Sequence, residues 1–264
     1  MPQPNQITQS QLSRLIGLPD APTLVDVRLP EDLARDPRLI PGSFPLSHTQ
    51  CDPFPLNLRR VVVICARGRK LSEGVAALLR LQGIHGEVLE GGAVGWAEAG
   101  LPMVRMAALP KTNLWVTRHR PKIDRIACPW LIRRFIDPGA RFLYVAPSDV
   151  LAVAERFNAT PFDIEGVAYS HRGDTCTFDT MLAEWGLQTE ALQRLALVIR
   201  AADTDRHDLS PQAAGLLAIS VGLSRQYRDD LEQLAIGLTL YDALYRWARD
   251  GHDETHDWPA GQPS

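Results

Sequence analysis

The segment Cys65-Ala66-Arg67-Gly68-Arg69-Lys70 concentrates groups that could do chemistry. A thiol is followed within five positions by three basic side chains, Arg67, Arg69 and Lys70. The apolar run Val61-Val62-Val63-Ile64 leads into it, and an amphipathic stretch, Leu71 to Leu81, leads out. Strand, tight basic loop, helix is an order that puts the loop at the carboxyl end of a strand, where open α/β sheets bind ligands. Loop N–H groups and the helix N-terminus would then point at the sulfur, and with the three cations they favour thiolate over thiol. Gly68 lets the backbone curl without a Cβ clash. The expected product is an anion cradle around a nucleophilic sulfur, lined by Ala66, Arg67, Gly68, Arg69 and Lys70. The plainer alternative is a buried small hydrophobe beside a solvated turn.

A second concentration lies at 118–134, where six Lys/Arg stand against one Asp. Pro129 suits the first position of a helix, with Cys128 as its cap. A thiol there would feel the positive helix end, Arg125 and Lys122, so its pKa is expected to fall. Lys122, Asp124, Arg125, Cys128 and Arg133 are the candidates for an anion or thiol site. Further on, His171, Cys176 and Asp203 are candidates for binding a metal ion. Surface or helix-capping roles are the alternative for each. Cys51, in a Pro-rich loop, is a candidate acceptor thiol or an idle one.

These groups need elements to hold them. The short apolar runs Thr23–Val27, Val61–Ile64 and Glu87–Leu89 alternate with helical periodicity, which predicts a parallel sheet covered on both faces. Residues 101–112 contain two prolines and no period, so a joint is placed near Pro110, between domains at 1–108 and 113–249. Beyond it, strands are expected at Leu114–Val116 and Phe142–Val145. Helices are expected at Ala191–Ala202, Gln212–Val221 and Asp229–Arg249, the last with an apolar face that begins at Leu231. The fold class is therefore α/β: a parallel sheet flanked by helices, then a mainly helical α+β second domain. Residues 250–264 read as a flexible tail.

Composition narrows the function classes. With 28 Lys/Arg against 31 Asp/Glu the net charge is −3, which makes nucleic acid an unexpected partner. No apolar run approaches the roughly 18 residues of a membrane span, and the first residues lack a secretory pattern. The four cysteines are widely spaced, which disfavours a zinc ribbon or disulfide scaffold and fits a reducing cytoplasm.

Several marks make residues 5–105 resemble a rhodanese domain. They are Asp26-Val27-Arg28, the turn Ile40-Pro41-Gly42-Ser43, the six-residue loop opened by Cys65, and Gly91-Gly92-Ala93-Val94-Gly95-Trp96 with the ending Gly100-Leu101-Pro102. Lys70 stands where that family often has Arg, and Leu39 where it usually has His. The resemblance implies sulfur transfer with no cofactor. Cys65 would take sulfane sulfur from thiosulfate or another donor and pass it as a persulfide to a thiol acceptor. Asp26 and Arg28 would join the substrate-binding set, or else form a buried pair that tethers loops.

Residues 113–249 resemble the C-terminal domain of the ChrB-type chromate-resistance family. The likeness rests on Trp115–Arg118, Arg120–Asp137, Phe162-Asp163-Ile164, Cys176–Asp179, Arg200–Arg206, Gln212–Ala218 and Leu240–Tyr245. It implies a link to chromate, and an oxyanion or a metal ion as ligand of this half. Two function classes follow. One is a rhodanese-type sulfurtransferase coupled to a chromate-resistance domain. The other is a non-enzymatic chromate or metal sensor with the first domain as scaffold. A plainer reading makes the second half an oligomerisation module.

Overall fold

A computed structural model describes residues 5–55 and 58–254. The first half contains strands β1 (Gln6–Ile7), β2 (Thr23–Asp26), β3 (Arg38–Leu39), β4 (Ser43–Pro45), β5 (Arg60–Ile64), β6 (His85–Leu89) and β7 (Val104–Arg105). Between them run α1 (Gln9–Ser13), α2 (Pro30–Arg35), α3 (Lys70–Leu81) and α4 (Gly92–Glu98). Five strands make one parallel sheet in the order β1-β6-β5-β2-β4. Strand β5 is central, and Val61 to Ile64 are fully buried, as a run without polar alternation requires. Strands β3 and β7 form a small antiparallel ribbon.

The second half contains β8 (Leu114–Arg118), β9 (Arg141–Val145) and β10 (Thr160–Pro161). They form a parallel sheet in the order β10-β8-β9. Helices α5 (Asp124–Phe135), α6 (Val150–Phe157), α7 (Thr177–Trp185), α8 (Glu190–Asp203), α9 (Ala213–Gln226) and α10 (Asp230–Arg246) complete it. This is the α/β sheet followed by a mainly helical α+β half that the sequence pattern predicts. Strand β10 and the edge strands β1 and β4 are too short to show a period.

Three local expectations are corrected. Pro129 does not open a helix, because α5 already starts at Asp124 and Pro129 lies inside it. In α10, Leu234, Tyr241 and Tyr245 are buried but Leu231 is 55% exposed, so the apolar face starts a turn later. Asp250 and Gly251 finish a π-helical stretch, Trp247–Gly251, rather than fraying; from 255 onward the expected tail lies outside the described residues. Among the described residues no helix is long and apolar enough to cross a membrane.

One apolar core spans both halves. Ile16 and Trp96 from the first join Trp130, Phe135, Phe178, Trp185 and Tyr245 from the second. Trp130 lies 5.3 Å from the Tyr245 ring and 5.7 Å from the Phe135 ring. At Gly17 a Cβ would stand 2.5 Å from Phe135 and 2.8 Å from Tyr245, so the chain passes there only without a side chain.

Candidate functional site

Two clusters of reactive side chains stand out, one in each half. The first is built where β5 ends. Cys65 follows the last buried residue of that strand and is itself 7% exposed. Its sulfur accepts a hydrogen bond from the backbone N–H of Arg69 at 3.4 Å. Arg69 is the N-cap of α3, so the sulfur sits at the positive end of a twelve-residue helix. The Ser72 hydroxyl lies 3.1 Å from the same sulfur and 3.0 Å from the Arg69 carbonyl.

Two glycines hold this loop in place. The carbonyls of Cys65 and Ala66 accept from the N–H groups of Ala93 and Val94, each at 3.0 Å. That pairing brings backbone against backbone. A Cβ on Gly68 (φ +64) would stand 2.3 Å from the Leu89 carbonyl, and one on Gly92 (φ +59) 2.2 Å from the Cys65 carbonyl. Only glycine fits either place.

Arg67, Gly68, Arg69 and Lys70 line an open cleft, together with Gln6, Gln9, Glu73, Glu90, Gly91, Gly95 and Glu98. The three cations thus face three glutamates. The cleft beside the loop is therefore of mixed charge.

Asp26 and Arg28 are not part of that cleft. The Arg28 Nε donates to both Asp26 oxygens at 3.0 and 2.8 Å, and its terminal nitrogens donate to the carbonyls of Asp36 and Arg38. Both side chains are almost wholly buried. They tie β2 to the segment leading into β3, so their assignment to substrate binding is corrected to tethering. Cys51 is buried, its thiol pushed up by that burial, and it is not an accessible acceptor.

The second cluster gathers Asp124 at the start of α5, Asp163 after β10, His171 ahead of α7 and Asp203 at the end of α8. The His171 Nε2 lies 3.1 Å from Asp203, 3.5 Å from Asp163 and 3.6 Å from Asp124. One oxygen of Asp124 accepts the Thr177 backbone N–H at 2.6 Å, and Asp163 accepts the Thr177 hydroxyl at 3.1 Å. Arg118 and Arg125 pair with the other oxygen of Asp163 at 2.9 and 3.3 Å. The remaining oxygen of Asp124, Oδ1, is buried with no hydrogen-bond partner among the described residues.

Charge and burial set the titration here. Burial, then Asp163, push the Asp124 carboxyl above its ordinary value, with His171 opposing. Burial works against the charge on Asp163 too, but His171, Arg118 and Arg125 outweigh it and hold its pKa low. Burial, Asp124 and Asp163 push Asp203 up to about 7. Contacts with Asp124 and Asp163 raise His171 to about 10. Backbone strain collects at the same place: Ile123, just before Asp124, has φ +41, and Asp163 has φ +55.

Comparison with known proteins finds a family model that matches each half. The family model for the ChrB C-terminal domain matches residues 115–248. The chain belongs to the ChrB C-terminal domain family. The rhodanese-like domain model matches residues 8–99. Protein ChrB of Cupriavidus metallidurans is 38% identical over 133 residues, which are 50% of this chain and 39% of that protein. The chain thus spans about two-fifths of the length of that relative. An uncharacterised protein of Synechocystis is 33% identical over 127 residues, 47% of this chain and 69% of its own length. A rhodanese-related protein of Thermoplasma volcanium, of known structure, is 26% identical, with a TM-score of 0.32, over 38% of this chain and 97% of that one.

In the ChrB C-terminal domain the structure redistributes the expected site residues. Cys128 is not a helix cap. It lies one turn inside α5, fully buried, and burial with Asp124 and Cys176 nearby pushes its thiol well up rather than down. Arg133 points away from the cluster: it donates to the Ala140 carbonyl and lies over the Phe142 ring. Arg125 reaches the cluster through Asp163, while Lys122 precedes α5 with its carbonyl accepting from Arg125 N–H. Of the metal candidates, His171 and Asp203 meet. Cys176 does not join them, because its thiol donates to Asp179 at 3.3 Å where it caps α7, and burial pushes it well up.

Two members escape a reading by spacing. Asp163 stands alone between apolar residues in Phe162-Asp163-Ile164, a signal of a carboxylate held inside. Ser72 is seven residues from Cys65, and only the helix starting at Lys70 folds it back toward the sulfur.

Proposed function

We propose that the rhodanese-like half is a sulfurtransferase and that Cys65 carries the sulfur. The observation that carries this reading is the place of one sulfur: Sγ accepts the Arg69 N–H at the N-terminus of α3, with the Ser72 hydroxyl 3.1 Å away. Donors fixed in advance stabilise charge without reorganisation. The Cys65 thiolate attacks the outer sulfur of thiosulfate. The sulfur–sulfur bond of the donor breaks, and sulfite leaves with the electron pair. The persulfide then passes its outer sulfur to an acceptor thiolate, and the Cys65 thiolate returns. Arg67, Arg69 and Lys70 attract the anionic donor, and Glu73, Glu90 and Glu98 temper that attraction.

The match to the ChrB C-terminal domain supports a link between this activity and chromate, an oxyanion similar in shape and charge to thiosulfate. The experiment is the intact mass of the full chain after incubation with thiosulfate, for wild type, Cys65→Ala and Cys128→Ala. One added sulfur on wild type and Cys128→Ala, and none on Cys65→Ala, is the expected result. No added sulfur on any of them, from thiosulfate or an organic persulfide, rejects the reading and leaves the sensor role.

A further inference from the structure

The four side chains Asp124, Asp163, His171 and Asp203 stand apart from the sulfur loop, and sulfur transfer at Cys65 makes no use of them. Three carboxylates converge on one imidazole nitrogen. An imidazole Nε2–H can serve one acceptor well, and only the 3.1 Å contact to Asp203 has hydrogen-bond length; those at 3.5 and 3.6 Å are too long. Ligands about 2.0–2.2 Å from one ion stand roughly 3–3.6 Å from each other, a range that the distances from the His171 Nε2 to the carboxylates match. One ligand atom from each of Asp124, Asp163 and His171 lies within 4.8 Å of the others.

An independent feature points the same way. Asp124 is 1% exposed, yet its Oδ1 has no hydrogen-bond partner among the described residues. A buried carboxylate oxygen without a donor is costly, and a cation removes that cost. Two of the carboxylates are anchored on the oxygen away from His171: Arg118 and Arg125 hold that of Asp163, and the Asp124 N–H reaches that of Asp203 at 3.4 Å, while the Thr177 N–H holds the Asp124 oxygen nearest His171. This is how ligating carboxylates are oriented from behind in metal sites. Asp203 also ends α8, where the helix dipole is negative and a cation is favoured.

We propose that Asp124, Asp163 and His171 bind one divalent first-row metal ion in the ChrB C-terminal domain, with Asp203 alongside His171 adding to the negative charge of the site. The donor set is one imidazole and two carboxylates, with no thiolate: the Cys176 thiol is taken by Asp179, and Cys128 contributes to the core. Such oxygen and nitrogen donors suit Mn²⁺, Fe²⁺ or Zn²⁺ and exclude Cu⁺ as the preferred ion. His171 is 40% exposed, so the ion has a way in and keeps coordination positions open to solvent, where a small oxyanion can bind.

The test is titration of the full, EDTA-treated chain with Mn²⁺ and, separately, Zn²⁺, followed by calorimetry and by melting temperature. Wild type is expected to bind one equivalent and to melt higher when loaded. His171→Gln, at a half-exposed position, should fold as wild type and bind at least about 10–100-fold more weakly, the loss typical when only an outer partner of a ligand is removed. Asp124→Asn should lose binding further, and Cys65→Ala should bind as wild type. Absence of stoichiometric binding by wild type overturns the proposal. So does binding that His171→Gln and the double variant His171→Gln/Asp203→Asn leave unchanged.

Discussion

Gly68→Ala tests the sulfur loop at the point where backbone meets backbone. The new Cβ would lie 2.3 Å from the Leu89 carbonyl oxygen and 3.0 Å from the N–H nitrogens of Gly91 and Gly92. None of these atoms can rotate away. The left-handed φ of +64 adds a cost of about 1–2 kcal/mol for a residue with a side chain. Forcing extra volume into a packed site adds about 1–3 kcal/mol, so the total expected is about 2–5 kcal/mol. For a chain of this size that lowers the melting temperature on the order of 10 °C. The chain has one way to relieve the clash, which is to lift the loop from Gly91 and Gly92. That would break the Ala93 and Val94 hydrogen bonds and carry Cys65 away from α3. Stability loss and loss of persulfide formation therefore trade against each other, and the variant must show at least one of them. Gly74→Ala is the control. It lies in α3 with nothing within 4 Å, and the change should stabilise by about 0.5–1 kcal/mol. Thermal unfolding and intact mass after thiosulfate treatment measure both quantities. A Gly68→Ala chain that melts like wild type and gains sulfur at the wild-type rate would refute the close-packed loop.

Three further outcomes are expected. Cys128 and Cys176, buried with their thiols pushed up, should resist iodoacetamide at pH 8 in the folded chain and react in denaturant, as counted by mass; rapid labelling of the native protein would contradict their burial. Arg28→Ala leaves the Asp26 carboxylate buried and unpaired, and should cost about 3–5 kcal/mol in urea unfolding; a loss under ~1 kcal/mol would contradict the tethering role of the pair. A chain ending at Pro110 should be unstable or associate, since Ile16 and Trp96 would lose the core they share with the second half; a soluble monomer with wild-type melting would show that the halves fold independently.

What the sequence displayed depended on how local the cause was. Val61 to Ile64, Cys65 and Gly68 are adjacent, and a buried strand entering a tight loop leaves its mark within ten residues. The loop's position and its three cations were legible for that reason. The glutamates opposite them were not, because Glu90 and Glu98 reach the cleft through the next strand and helix. The acid cluster was harder still. Its members come from four separate segments, between 124 and 203. His171 and Asp203 drew notice as residue types able to bind metal, but Cys176 drew the same notice and instead caps a helix. Spacing could not separate them, since the difference lies in which way α7 begins. Cys128 misled for a related reason. Proline commonly marks a first helical turn, and here the helix had begun five residues earlier at Asp124, so the thiol faced the core.

The shared core bears on why the two families stand in one chain. Phe135 closes α5, the helix that begins with Asp124. Its carbonyl accepts the Gly42 N–H at 2.6 Å, in the turn that follows β3. Its ring packs where Gly17 leaves room, and Arg249 donates to the Arg14 carbonyl beside it. Arg105 reaches the α7 carbonyls from the other side. The helix that carries the acid cluster is therefore anchored, at its far end, in the rhodanese-like half. Packed interiors transmit displacement because they have few voids to absorb it. An independent tethered module would instead bury little against its neighbour and tolerate any relative orientation. The geometry favours a fixed relation between the two halves. Fusion by a flexible linker would have served colocalisation alone; burying Trp96, Phe135 and Tyr245 together serves a fixed geometry.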